Sequence, residues 1–189
     1  LSFARIHPKD PNYNNRLREI KKMGLKGIKL HPCYQDVYIN AVECERVIDY
    51  ASELDLLVTL HCGTDPSCPG QELCTPERIR KMLWDVYQGG AARNLILAHL
   101  GGNGMESRSE ELLAGGDYYM DLSFCLQNIP VEQLVRIVKK HGTEKILFGT
   151  DSPWCSQKEE VEYLKTLPFT QDELELIFYK NGAKLLQII

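Results

Sequence analysis

Residues 56–61 read Leu56-Leu57-Val58-Thr59-Leu60-His61, an apolar and β-branched run that ends on an imidazole. The pattern recurs twice. Leu95-Ile96-Leu97-Ala98 runs into His99, and Ile146-Leu147-Phe148-Gly149-Thr150 runs into Asp151. Runs of this length, rich in branched residues and bounded by turn residues, have the character of buried parallel strands. A polar group at the C-terminal end of such a strand sits where α/β barrels keep their chemistry. Two imidazoles and a carboxylate converging there are the ingredients of a catalytic metal site. Taken singly, each is equally a hydrogen-bonded strand-end residue; three in one context point to a shared site.

Working outward, strands and helices alternate. Residues 2–6 form a weak strand before His7-Pro8, and 14–23 have helical spacing through Leu17, Ile20 and Met23. Residues 27–30 make a short strand ending at His31-Pro32, and 40–54 carry Val42, Val47, Ile48 and Ala51 at helical spacing. After the His61 strand, a Gly-, Pro-, Cys- and Ser-containing loop spans 62–74. Thr75-Pro76-Glu77 then opens a helix with a capping residue, a proline at the first helical position and an acid in the first turn. Residues 118–122 read as a strand containing Asp121, residues 130–141 as a helix, and 158–167 and 172–186 as closing helices. Strand-helix-strand crossovers of this kind build either an open doubly wound sheet or a closed barrel. A closed eight-stranded barrel usually takes about 250 residues. At 189 residues the chain is short of that by roughly two strand-helix units.

Composition narrows the function classes. Hydrophobic residues are 43% and charged residues 25%, ordinary for one globular domain spanning 1–189. A net charge of -4 with scattered Lys and Arg excludes a general nucleic-acid binder. No apolar stretch is long enough to span a bilayer, so no membrane partner is expected. The opening LSFARIHPKD lacks the basic and apolar regions of a secretory signal, and its first residue is what a chain starting mid-protein would show. Seven cysteines, an odd number spread over the chain, do not suggest a disulfide framework, so a reducing cytoplasm is expected. His61, Cys62, Cys68 and Cys74 lie close in sequence, but without the paired spacing of zinc or iron-sulfur sites they read as loop cysteines.

The stretches GIKLHP, TLHCG, LAHLGG and FGTDSPW, with the closing IFYKNGAKLL around Asn181, resemble the amidohydrolase-related family of metal-dependent hydrolases and decarboxylases. The resemblance runs over nearly the whole chain, in order. It implies an α/β fold of the (β/α)8 TIM-barrel type, with this chain matching strands three to eight and lacking the first two strand-helix units. It also implies a divalent metal, zinc first and manganese second. His61 resembles the strand-five metal ligand. Asp151 resembles the strand-eight aspartate that contacts the metal and moves the proton of its water. His99 resembles the strand-six histidine, a catalytic base or electrophile with one metal and a ligand with two. The family's strand-one His-x-His pair is absent: the five histidines are 7, 31, 61, 99 and 141.

Lys29 and His31 are two apart and share a strand face. Lys29 reads as a substrate-carboxylate contact, as a carbamylated metal bridge of the kind related amidohydrolases use, or as the partner of a carboxylate such as Asp121. His31 reads as a substrate contact at the barrel mouth or as a turn histidine. Trp154 reads as a wall of the substrate pocket or as packing under its loop. The expected activity is hydrolysis of a C–N or C–O bond in a small-molecule substrate. The alternatives are decarboxylation of an aromatic or unsaturated acid, and an inert barrel remnant serving as a binding module. Unpaired edges at 2–6 and 146–149 lead us to expect a homo-oligomer.

Overall fold

Six parallel strands stand side by side in chain order in the computed structural model, which describes residues 2–188. They are β1 (Ala4–Arg5), β2 (Gly27–Leu30), β3 (Leu57–Leu60), β4 (Leu95–Leu97), β5 (Tyr119–Asp121) and β6 (Ile146–Leu147). The order decides between the two architectures left open above. A doubly wound sheet reverses its strand order at a switch point, whereas a barrel wall never does. The fold is therefore α/β, a six-stranded TIM-barrel wall.

Register explains where the core lies. Ile28, Val58 and Leu95 are level across β2, β3 and β4. Leu30, Leu60, Leu97, Met120 and Ile146 form the next such row. All are fully buried, in one cluster with Leu17, Val47, Ile48, Ile79, Met82, Leu134 and Ile137 from the helices. Because side chains alternate along a strand, Arg5, Lys29, Thr59, Ile96 and Tyr119 line the opposite face at one level.

The helices are α1 (Tyr13–Lys22), α2 (Pro32–Gln35), α3 (Val42–Glu53), α4 (Pro76–Tyr87), α5 (Glu106–Leu112), α6 (Val131–His141), α7 (Gln157–Thr166), α8 (Gln171–Glu175) and α9 (Asn181–Leu185). Cap chemistry fixes several starts. The Thr75 hydroxyl accepts the Arg78 N–H above Pro76, and Thr170 with Glu173 forms a reciprocal capping box at α8. No described helix is long and apolar enough to cross a membrane.

Three expectations need correction. The helix expected over 172–186 is broken by a π-helical turn, Leu176–Lys180, between α8 and α9. There the Ile177 carbonyl turns to accept the Phe148 N–H at 2.9 Å, which covers the free edge of β6. Asn181 reinforces the join by donating to the carbonyls of Thr143 and Ile146. Helix α5 escaped the sequence reading because ESRSEEL has no apolar stripe; Ser109 alone is buried. Thirdly, Cys33 and Cys68 form a disulfide. The loop after β3 folds back over α2 and brings their Cα atoms to 6.4 Å, a proximity hidden by a separation of 35 residues. The cluster of His61 with three cysteines does not form, since Cys68 is bonded elsewhere and the Cys62 thiol is buried against the Leu60 carbonyl.

Candidate functional site

His61 and His99 sit one and two residues beyond the ends of β3 and β4, and the sheet register brings them together. His61 Nδ1 and His99 Nε2 are 3.1 Å apart. The proton order follows from the next neighbours. His99 Nδ1 lies 2.8 Å from the Ser123 carbonyl and 3.1 Å from the Ser123 hydroxyl. That hydroxyl donates to Asp121, and a carbonyl can only accept, so Nδ1 of His99 carries a proton. The second ring nitrogen of His99, Nε2, is taken up by the contact with His61 Nδ1. His61 is neutral: burial above all, then the neighbouring His99, His31 and Lys29, push its pKa down to about 3. Its Nε2 lies 3.3 Å from the Thr64 carbonyl and 3.8 Å from Asp65 Oδ2, both of them acceptors.

Asp121 anchors this arrangement. Its Oδ1 accepts the backbone N–H groups of His99 and Ser123, each at 3.0 Å. It is therefore not the ion-pair partner of Lys29, which forms no ion pair or hydrogen bond among the described residues and does not line the cavity at His61. Lys29 sits one level deeper, beside Arg5 and Thr59.

That cavity, of about 130 Å³, is lined by Tyr34, His61, Asp65, Pro66, Ser67, His99, Asn103, Phe124, Asp151 and Trp154. A larger groove of about 880 Å³ runs between α4 and α5, but no histidine or cysteine lines it. Asp151 reaches the cavity from the loop after β6. It is exposed, and its carboxylate has no hydrogen-bond partner among the described residues. Trp154 is 75% exposed and so forms a wall rather than packing under its loop. Backbone strain concentrates at this mouth: His99, Leu100, Phe124 and Asp151 have φ of 57°, 50°, 60° and 57°.

His31 is the first residue beyond β2. Its ring stacks between Tyr34 and His61, with centroids 3.8 and 4.0 Å away, and its Nε2 lies 3.2 Å from Asp65 Oδ2. Burial chiefly lowers its pKa, with Asp65 opposing. Asp65 itself escaped the sequence reading. Its loop has no periodicity, and the signals available were only its place four residues after His61 and the turn-forming Asp-Pro-Ser that it opens. The carboxylate lies 3.8 Å from His61 Nε2. Burial pushes its pKa up, but the Ser67 N–H and the two imidazoles outweigh that and hold it below the usual value.

By donor type the set suits a divalent cation, although the His31 and His61 rings are stacked nearly parallel and one must turn before both hold the same ion. Ligands at about 2.1 Å from a tetrahedral ion lie about 3.4 Å from each other. Asp65 Oδ2 is 3.2 and 3.8 Å from the two imidazole nitrogens, and one donor atom from each of the three residues lies within 4.8 Å of the others. Asp151 stands across the same cavity and His99 stands behind His61.

A parallel barrel wall with imidazoles and carboxylates gathered at its C-terminal strand ends defines a barrel enzyme. The chain belongs to the amidohydrolase family, whose profile matches residues 14–188. No curated protein matches it by sequence. Among solved structures, an uncharacterised TIM-barrel protein from Bordetella bronchiseptica is similar with a TM-score of 0.77 at 19% identity, over 98% of this chain and 64% of that one. A 2,6-dihydroxybenzoate decarboxylase from Rhizobium has a TM-score of 0.74 at 16% identity, over 100% and 71%. A manganese-bound dihydroxybenzoic acid decarboxylase from Polaromonas sp. JS666 has a TM-score of 0.68 at 16% identity, over 93% and 65%. The chain thus spans about two thirds of these relatives.

Proposed function

We propose that the protein is a divalent-metal-dependent hydrolase acting on a C–N or C–O bond of a small molecule. The observation that carries this is the cavity into which His61 and Asp151 both project, the latter with an unpartnered carboxylate. A bound divalent cation supplies Lewis acidity, bringing the pKa of water toward about 7. The protein's own groups do the rest. His61 would hold the cation through Nε2. His99, 3.1 Å behind Nδ1, would orient the ring, as partners behind a ligating histidine commonly do. Asp151, open to the cavity, accepts the proton that leaves the attacking water and returns it to the leaving group. Tyr34, Phe124 and Trp154 wall the cavity with flat apolar surface and orient a planar substrate. Zinc suits two imidazoles and a carboxylate. Manganese is the second candidate, given the manganese-bound decarboxylase of similar fold.

A second reading, decarboxylation of an aromatic acid, is favoured by the decarboxylases of similar fold. One experiment separates the two. Metal-reconstituted protein is incubated with a panel of aryl amides, esters and lactones, and in parallel with hydroxybenzoates. Hydrolysis supports the first reading if it falls at least 100-fold in Asp151→Asn. Release of CO2 from the hydroxybenzoates, with no hydrolysis, replaces it by the second. Failure of both panels refutes both and leaves a binding module. We place the protein in the cytoplasm on the strength of its five free thiols, against which the Cys33–Cys68 disulfide stands. We also expect it to self-associate through the edge of β1, and a stable monomer in sedimentation would refute that.

A further inference from the structure

We propose that the Cys33–Cys68 disulfide is a thiol-exchange site that gates the cavity. Joined, the two cysteines hold the cavity to the size of a single ring; reduction by a low-molecular-weight thiol frees part of its wall. The gate concerns access to the cavity rather than the reaction carried out there. Three observations carry it. The first is position. Each cysteine adjoins a wall residue in sequence, Tyr34 after Cys33 and Ser67 before Cys68. Tyr34 from one stapled segment, and Asp65, Pro66 and Ser67 from the other, line a cavity of about 130 Å³. A space of about 150 Å³ holds benzene. Pockets for larger ligands run to about 300–1,000 Å³. A substrate of more than one ring therefore enters only if a wall moves.

The second is what reduction would release. The ends of the 62–74 loop are held without the disulfide. Gly63 N–H donates to the Cys74 carbonyl at 2.8 Å, Thr64 N–H to the Asn103 carbonyl at 2.9 Å and Ile39 N–H to the Leu73 carbonyl at 3.0 Å. Between these anchors the backbone of 65–71 bonds only to itself among the described residues, Cys68 N–H to the Asp65 carbonyl and Gln71 N–H to the Cys68 carbonyl. Its remaining ties to the fold are side-chain contacts. Ser67 Oγ meets the Tyr34 hydroxyl at 3.3 Å, Asp65 meets His31 at 3.2 Å and His61 at 3.8 Å, and Gln71 Oε1 lies 3.8 Å from the Cys33 sulfur. Breaking one covalent bond thus leaves the tip free to swing while both anchors stay.

The third is reach. Cys33 is buried and Cys68 half-buried, so the Cys68 sulfur is the one that an incoming thiolate meets. Attack there forms a bond between the small thiol and Cys68 and breaks the bond to Cys33. Cys33 leaves as a thiolate and takes up the proton that the small thiol gave up. A second small thiol attacks the first at its sulfur in the mixed disulfide, and Cys68 leaves and is protonated in turn. Two small thiols end as their own disulfide, and the two cysteines have gained two electrons and two protons. The reverse exchange, with the oxidised small thiol, closes the gate again.

The test uses the full chain with Trp84→Phe, which leaves Trp154 of the cavity wall as the single tryptophan. The probe is 4-nitroacetanilide, a planar aryl amide larger than one ring whose nitro group quenches tryptophan fluorescence. The protein is equilibrated in glutathione buffers from oxidising to reducing, and its thiols are alkylated and located by mass spectrometry. Amide hydrogen exchange is followed over 62–74, and far-UV dichroism confirms that each state is folded. We expect the folded protein to pass between the two states, with the mixed disulfide on Cys68. Exchange over 65–71 should be at least tenfold faster in the reduced form, with 57–60 and 95–97 within about twofold. The reduced form, and a Cys33→Ser/Cys68→Ser variant, should bind the probe at least tenfold more tightly than the oxidised form. Equal or weaker binding after reduction, unchanged exchange over 65–71, or a disulfide that yields to glutathione only when the chain unfolds would each overturn the gate. A cavity that opens on reduction in a protein that hydrolyses nothing in the panel would tell against the proposed reaction and leave the gate standing.

Discussion

Gly63 is the position where a single methyl group tests the whole construction of the site. It has φ +86° and lies against the segment after β4, where an added Cβ would stand 2.3 Å from both N and O of Asn103 and 2.7 Å from the carbonyl carbon of Gly102. All three are backbone atoms, so no side chain can swing aside. Relieving the overlap means parting the two segments by about 1 Å, given ordinary carbon contacts of about 3.5 Å. Two hydrogen bonds cross that gap, Thr64 N–H to the Asn103 carbonyl at 2.9 Å and Asn103 N–H to the Cys62 carbonyl at 3.0 Å. Their loss costs about 1 kcal/mol each. The left-handed backbone costs a residue with a Cβ about 1–2 kcal/mol more. Gly63→Ala should therefore destabilise the protein by about 3–4 kcal/mol, or roughly 6–16 °C in Tm for a chain of this size. Gly70→Ala is the control: the same loop, φ +77°, and nothing within 4 Å of the added Cβ. It should cost only the backbone strain, about 1–2 kcal/mol. Urea denaturation followed by far-UV dichroism measures both. Equal destabilisation of the two variants would refute the argument, because it would mean that the close approach of residues 63 and 103 is absent in solution.

Two further predictions concern parts of the fold remote in sequence. His141, buried at the end of α6, donates from Nε2 to the Tyr118 carbonyl and accepts the Gly115 N–H at Nδ1, an arrangement only the neutral ring satisfies. Burial first of all pushes its pKa down to about 4, against 6.5 unfolded, so between those values the unfolded chain binds the extra proton. Its contribution is complete above pH 6.5 and about 3 kcal/mol is lost as pH falls to 4; urea midpoints against pH should fall less steeply for His141→Gln, and parallel curves would contradict this. The Cys33–Cys68 disulfide closes a loop of 35 residues and should contribute about 4 kcal/mol through the unfolded state. Reduction with a dithiol, or Cys68→Ser, should lower the urea midpoint accordingly and open residues 62–74 to limited proteolysis, whereas an unchanged midpoint and digestion pattern would mean that the two thiols are not joined in solution.

Fold and site were not equally legible in the sequence, for physical reasons. Buried parallel strands declare themselves through composition alone, and Leu57–Leu60 and Leu95–Leu97 lie within the apolar runs that suggested them. Helices with an apolar stripe and a chemical cap, such as α4 behind Thr75-Pro76 and α6 with Leu134, Ile137 and Val138, were equally plain. Helix α5 was not, because it covers the core with serine and small contacts rather than leucine. His141 shows a different limit. A histidine at a helix end suits a cation on the macrodipole, yet the register of β5 places the Tyr118 carbonyl against its ring, and burial makes it neutral. In the site, residues fixed by strand ends were legible: His61 and His99 meet because β3 and β4 are neighbours. What depended on loop path was not. Asp65 and the Cys33–Cys68 link arise from a long excursion whose route no local pattern encodes.

The distribution of strain ties these levels together. Of the eight described residues with side chains that take left-handed backbone conformations, four, His99, Leu100, Phe124 and Asp151, lie beyond β4, β5 or β6 on the cavity side of the sheet. Each such conformation costs of order 1–2 kcal/mol and persists only where its surroundings over-determine it. For His99 those surroundings are visible. Asp121 holds its backbone N–H, Ser123 holds Nδ1, and the fully buried Leu100 pins the next residue into the core. The strain therefore has a result: the His99 ring is turned back onto His61 instead of following the strand outward. The outer nitrogen of His61 faces the Thr64 carbonyl, Asp65 and the cavity. A ring held from behind by a second imidazole, with no carboxylate in contact with the hindmost ring, has the form of an oriented metal-binding histidine rather than of a charge-relay pair.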